Sequence, residues 1–257
     1  MLFRTVYGPE LKVIYQFIRS STEPLTRLQI MTTFVPKSNH DELSVSSQNV
    51  EDALSFLVSS YLLEEQKGVY IALNSGLPFH LALLHNLRDI ESGVLAPKHP
   101  LDTQFSALLG DLFILPDVLY ADNLHALANS LDAIKRLGGI SKEKIQAWKR
   151  VMEYLGLGYR LNRGFVCVAA PDVLRGIIAL MTEDQATLQA FFEQNVTHFL
   201  PCVNRLGDVS QGVRQPMLYL AQSGYIKLTP LQDSPVRAYF HPHNLRQIIR
   251  EHVDVVA

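Results

Sequence analysis

The sequence predicts a mainly α protein with small β-hairpins, an α+β fold. Three observations carry this. Apolar residues recur at helical spacing through most of the 257 residues. Three of these runs pass through a short turn signal into a pair of brief strand-like segments: ALSFLVSSYLLEEQKGVYIAL, AWKRVMEYLGLGYRLNRGFVCVA and QPMLYLAQSGYIKLTPLQDSPVRAYF. Hydrophobic residues make up 47% and charged residues 19%, the balance of a packed core rather than a disordered chain.

The elements follow in order. Leu11, Ile14, Tyr15 and Ile18 lie on one face of a first helix, which Ser20-Ser21-Thr22 breaks. A short helix is expected over Leu25 to Phe34, and a polar loop over Pro36 to Ser47. Val50, Ala53, Leu54, Leu57, Val58 and Tyr61 mark a third, amphipathic helix. Leu63 and Val69-Tyr70-Ile71 read as strands around Gln66-Lys67-Gly68. The middle is helical through Leu81-Leu84-Leu87 and Phe105-Leu108-Leu109-Leu112, and Tyr120 to Leu137 reads as one further helix, ended by Gly138-Gly139. Ser141 caps the next, whose stripe is Ile145, Trp148, Val151, Met152 and Leu155. A hairpin follows. Gly164 suits its left-handed position, and Tyr159 and Leu161 alternate on one strand as Phe165 and Cys167 do on the other. In the last third, Val173 to Met181, Leu188 to His198 and Val209 to Ser223 are helical, and Pro216 starts or kinks the last of these. Tyr225 to Leu228 and Val236 to Phe240 read as strands, and Asn244 to His252 as a closing helix.

The repeated plan of helices followed by a two-stranded hairpin resembles the winged helix-turn-helix superfamily, here as tandem winged-helix-like modules. Its three joints place the modules at residues 1–77, 78–170 (a helical segment leading into the second module) and 171–257. The tandem plan is also similar to the winged-helix subunits that accompany chromosome-organising ATPases. An α+β protein with three unrelated hairpins stays open as the alternative. The resemblance implies that a module's third helix enters the major groove of DNA while its hairpin, the wing, touches the backbone or the minor groove.

The net charge of −2 does not announce a nucleic-acid partner, but its distribution is uneven. Residues 135–164 hold eight basic and two acidic residues, net +6, whereas residues 1–134 are net −7 and 165–257 net −1. Lys142, Gln146, Lys149 and Glu153 fall on one helical face opposite the apolar stripe, with Lys144 and Arg150 beside them and Arg160 and Arg163 on the hairpin. Exposed lysine, arginine and glutamine in this pattern suit phosphates and base edges. Lys142, Lys144, Gln146, Lys149, Arg150, Arg160 and Arg163 are therefore the candidate nucleic-acid-binding residues, for double-stranded DNA. A solvated basic surface is the competing account. The first module's third helix is expected to expose Glu51, Asp52, Ser55 and Ser59, and its hairpin opens with Glu64-Glu65. That acidic face would repel phosphate and suits a protein partner or self-association. The third module offers Arg214, Lys227 and Arg237.

No phosphate-binding GxxxxGK[ST] or GxGxxG, no GxSxG and no HExxH is present. His80 and His85 are not i, i+4 ligands, and His241 and His243 read as a surface loop. Cys167 suits a core position, and Cys202, near His198, is a remote candidate for a reactive thiol. No cofactor and no metal are expected, and the chain is not expected to be an enzyme. Two scattered cysteines fit a reducing cytoplasm. Glu10 and Lys12 read against a signal peptide, and the short apolar runs against a membrane span. The expectation is a DNA-binding accessory subunit of a DNA-processing, chromosome-organising or defence complex. A dimeric transcriptional regulator and a protein-interaction scaffold without nucleic-acid binding are the alternatives.

Overall fold

Three small antiparallel sheets share one strand order in a computed structural model that describes residues 1–35, 43–73, 75–114, 118–182, 185–204, 209–229 and 252–255. The first begins with α1 (Gly8–Ser20), which has Pro9 in its first turn and buries Leu11, Ile14, Tyr15 and Ile18. Strand β1 (Leu25–Thr26) leads straight into α2 (Arg27–Phe34), then come α3 (Leu43–Ser59), β2 (Leu63–Gln66) and β3 (Val69–Ala72). After α4 (Phe79–Ser92) the order recurs as α5 (Pro100–Ile114), β4 (Tyr120–Ala121), α6 (Leu124–Ser130), α7 (Asp132–Arg136), α8 (Lys142–Tyr154), β5 (Tyr159–Leu161) and β6 (Gly164–Val166). It recurs again as α9 (Pro171–Ile178), β7 (Gln185–Thr187), α10 (Leu188–Ala190) with the π and 3₁₀ turns that continue it to His198, α11 (Gln211–Gln222), β8 (Ile226–Thr229) and β9 (His252–Val255). In each sheet the last strand lies in the middle, paired with both the first and the second: β1-β3-β2, β4-β6-β5 and β7-β9-β8. The described residues are thus mainly helical with small antiparallel sheets, as the sequence predicts.

Several expectations need correction. The leading strand of each sheet is two or three residues long, too short for its period to show, so Leu25 to Phe34 and Tyr120 to Leu137 read as unbroken helices. Thr26 ends β1 and caps α2: its Oγ1 accepts from the Gln29 N–H at 3.3 Å, and Gln29 Oε1 accepts from the Thr26 N–H at 2.7 Å. The second of those helices breaks again at Leu131, which is extended. Positive φ in the second hairpin belongs to Asn162 (+53°), not to Gly164. On the strand from Tyr159 to Leu161 the pleat is the reverse of expectation, while Phe165 and Cys167 on the other strand are buried as expected. Arg160 is the partner of buried Phe165 and shares its face toward α8, so Tyr159 and Leu161 point outward and are exposed. His252 opens a strand rather than ending a helix. The strand expected over Val236 to Phe240, and the rest of that closing helix, lie outside the described residues. Pro216 neither starts nor ends α11. The carbonyl its missing N–H leaves free, on Gly212, accepts from the Ala169 N–H at 2.8 Å.

That bond ties the chain entering the third unit to its principal helix. Other ties join the rest. The first residues form an arm with Leu2, Phe3 and Val6 buried, and the Leu2 N–H donates to Asp102 Oδ1 of α5 at 2.6 Å. Phe105 meets Phe3 of the arm edge-on at 5.1 Å and Phe56 of α3 at 6.1 Å. On α4, Asn86 Nδ2 donates to the carbonyls of Ser60 and Tyr61 beyond α3, while Arg88 Nε donates to the Thr197 carbonyl. One continuous apolar core runs through all three units. No described helix is long and apolar enough to cross a membrane.

Candidate nucleic-acid interface

Helix α8 carries five of the seven candidate residues, and its start is well defined. Ser141 is extended, and its Oγ accepts from the Lys144 N–H, as the cap position requires. The α7–α8 turn is held from inside. Gln104 Nε2 donates to the Leu137 and Gly139 carbonyls, and Asn129 accepts the Ile140 N–H. Trp148 lies at the bottom, fully buried, with its Nε1–H donating to the Phe105 carbonyl.

The seven residues do not form one open face. Lys142 and Gln146, one turn apart, are exposed at the beginning of α8. Lys144 is half-buried, its ammonium 5.9 Å from the Phe3 ring. Arg150 is half-buried with its guanidinium 5.8 Å from the Tyr7 ring. This flank of α8 meets the first unit: Gly8 sits so close to Tyr154 that a Cβ there would fall inside the ring. Lys149 departs furthest from expectation. It is 5% exposed and lies 5.9 Å from the Phe165 ring. Burial, and after it the neighbouring Arg160, lowers its pKa. It is not an open phosphate contact, because the hairpin folds over it. Arg160 is exposed but engaged, with its Nε and its backbone N–H both donating to Glu153 Oε1, at 2.8 and 2.7 Å. Arg163 is exposed at the hairpin tip, and no ion pair to it is found among the described residues.

The exposed members of the candidate set are thus at the start of α8, with Lys142 and Gln146, and on the hairpin, with Arg163 and the Glu153-held Arg160. Lys142 and Glu153 are roughly 16 Å apart along the helix, enough to reach across a major groove about 12 Å wide.

The other units differ. The acidic face expected on α3 is largely neutralised. Glu51 pairs with Arg27, Asp52 pairs with Arg4 at 3.3 Å, Ser55 is half-buried and Ser59 is buried. A polar hollow of about 470 Å³ lies there, lined among others by Arg27, Glu51, Glu65, Tyr70 and Lys98. In the third unit Arg214 is half-buried and Lys227 exposed, while Arg237, His241 and His243 lie outside the described residues. Both thiols are buried, and burial pushes Cys167 up to about 12 and raises Cys202 further, which leaves neither as a nucleophilic thiolate near neutrality. Among the described residues no group of three or more His, Cys, Asp or Glu side chains is placed to hold a metal.

Sequence reasoning missed the arm and the burial of Lys149, both of which depend on contacts far apart in the chain. It also missed the outward face of the second sheet, where Tyr159 and Leu161 read as inward. Comparison of the chain with protein-family models, with curated proteins and with solved structures finds no match.

Proposed function

We propose that the protein is a non-enzymatic accessory subunit built of tandem winged helices, and that its second unit binds double-stranded DNA. The winged-helix reading is supported by the threefold recurrence of helix, strand, two or three helical segments and two strands, with the last strand always central. One observation carries the choice of unit. Lys142, Gln146 and Arg163 stay exposed at the two ends of the one helix-to-hairpin joint that lies in a +6 segment. In this reading α8 enters the major groove by its first turns, Gln146 meets base edges, and Lys142 and Arg163 hold phosphates. The α1 side of α8 is closed to DNA by Tyr7, Gly8 and Phe3. The contact is therefore shallow, as suits a subunit that works beside others. Pairing of Arg160 and burial of Lys149 leave fewer cations open to phosphates and favour a second reading, in which this surface docks a protein without nucleic-acid binding.

Anisotropy of a labelled duplex across a salt series separates the two. Affinity should fall steeply with salt, and in a Lys142→Ala/Arg163→Ala variant the slope of log affinity against log salt should shrink by about 2. Lys149→Met should leave the slope unchanged. If the double variant binds duplex at low salt as well as the unaltered protein does, the DNA reading is wrong and the docking reading takes its place.

A further inference from the structure

The hairpin that carries Arg163 has a second face, turned away from α8. Tyr120 on β4 and Tyr159 on β5 are both partners of Val166 on the central strand β6, so they project from the same side of the sheet. Leu161 joins them one pleat further along β5, opposite Gly164. Tyr120, Tyr159 and Leu161 are 45%, 53% and 46% exposed. These are large values for aromatic and branched side chains gathered on one small sheet.

The bed beneath Tyr120 is specific. A Cβ added at Gly164 would lie within 2.6 Å of Tyr120 Cζ and Cε2. The glycine lets the end of the tyrosine ring come down onto the strand, while much of the side chain stays exposed. Tyr159 stands two strands away, about 9.5 Å across the sheet. Arg163 is exposed at the tip of the same hairpin, and the segment from 135 to 164 is net +6. Arg160 does not belong to this face, since it turns toward Glu153 on the other.

Solvent-facing aromatic rings on a sheet, with an arginine at its edge, suit unstacked bases on a phosphate backbone, because every base has a π-face and each phosphate a charge. We propose that the outer face of the second sheet is a stacking platform for single-stranded nucleic acid, with Tyr120 and Tyr159 each taking a base and Arg163 a phosphate. This rests on the nucleic-acid reading above and extends it to an unpaired strand. The same hairpin would touch a duplex on its α8 side and a separated strand on the other, as at a junction where duplex opens. The net +6 of residues 135–164, with Arg163 exposed at the hairpin tip, suits a polyanionic strand.

The test uses the whole protein with a labelled oligothymidylate and, separately, a labelled duplex. Tyr120→Phe/Tyr159→Phe should bind oligothymidylate within about 3-fold of the unaltered protein, and Tyr120→Leu/Tyr159→Leu, which keeps apolar cover over Gly164 but no π-face, should bind roughly 30-fold or more weakly. Duplex affinity should be the same in both. The platform is refuted if the unaltered protein fails to bind oligothymidylate or if the leucine pair binds it as well as the phenylalanine pair. It is equally refuted if sedimentation shows the free protein self-associating through these tyrosines. Duplex binding that fails while the phenylalanine–leucine contrast holds would remove the duplex reading and leave the platform standing.

Discussion

Asp102 shows how much one buried carboxylate can decide. It sits fully buried at the start of α5, where Oδ1 accepts the Leu2 N–H and Oδ2 has no hydrogen-bond partner among the described residues. Burial raises its pKa, and the Leu2 N–H opposes that shift. A carboxyl whose pKa is higher folded than unfolded contributes most in acid, and its contribution is lost as pH rises through the folded value. Asp102→Asn keeps an oxygen for the Leu2 N–H and removes the charge. The variant should melt higher than the unaltered protein at neutral pH, and its lead should close as pH falls below the folded pKa. A lead that is constant from acid to neutral pH would show that Asp102 does not titrate in this range. Lys149 follows similar physics with the opposite sign of charge. Its buried ammonium is tolerated over the Phe165 ring, beside Glu153, and is withdrawn from any ligand.

Among the elements, the packing of α1 against α8 is the joint that shapes the candidate interface. Gly8 opens α1, and its missing side chain makes room for the Tyr154 ring, which in turn meets Phe79 of α4 edge-on at 6.3 Å. Gly8→Ala should destabilise the protein by about 1–3 kcal/mol in chemical denaturation, the usual cost of overfilling a packed site. On a Tyr154→Ala background the same change should cost almost nothing. Equal costs on both backgrounds would show that the ring is not what Gly8 accommodates.

At the scale of the molecule, the three units share strand order but not independence. The arm buries Leu2 and Phe3 between α3, α5 and α8, α4 clamps the end of α3 and reaches Thr197, and Ala169 bonds to Gly212. Calorimetry should therefore show one unfolding transition. Phe3→Ala, which empties a site against Phe105, should lower that whole transition by about 3–5 kcal/mol of stability. Two transitions, of which Phe3→Ala moves only one, would mean that the units melt separately.

The sequence by itself determined the long helices, the Ser141 cap, the first two helix-to-hairpin joints and the place of the basic segment. Each is written in neighbouring residues: a 3.6-residue period, a serine before an apolar run, a turn between β-prone pairs. Two-residue strands such as Leu25–Thr26 and Tyr120–Ala121 carry no period and became visible only through their partners on β3 and β6. Tertiary structure alone decided which basic residues face solvent. Lys142, Gln146 and Lys149 lie on one side of the helix by spacing, yet Lys149 is covered by a hairpin that begins ten residues later, while α1 and the arm, more than 100 residues earlier in the chain, half-bury Lys144 and Arg150. Helical periodicity fixes direction around an axis, and only the packing of other segments determines whether that direction meets water.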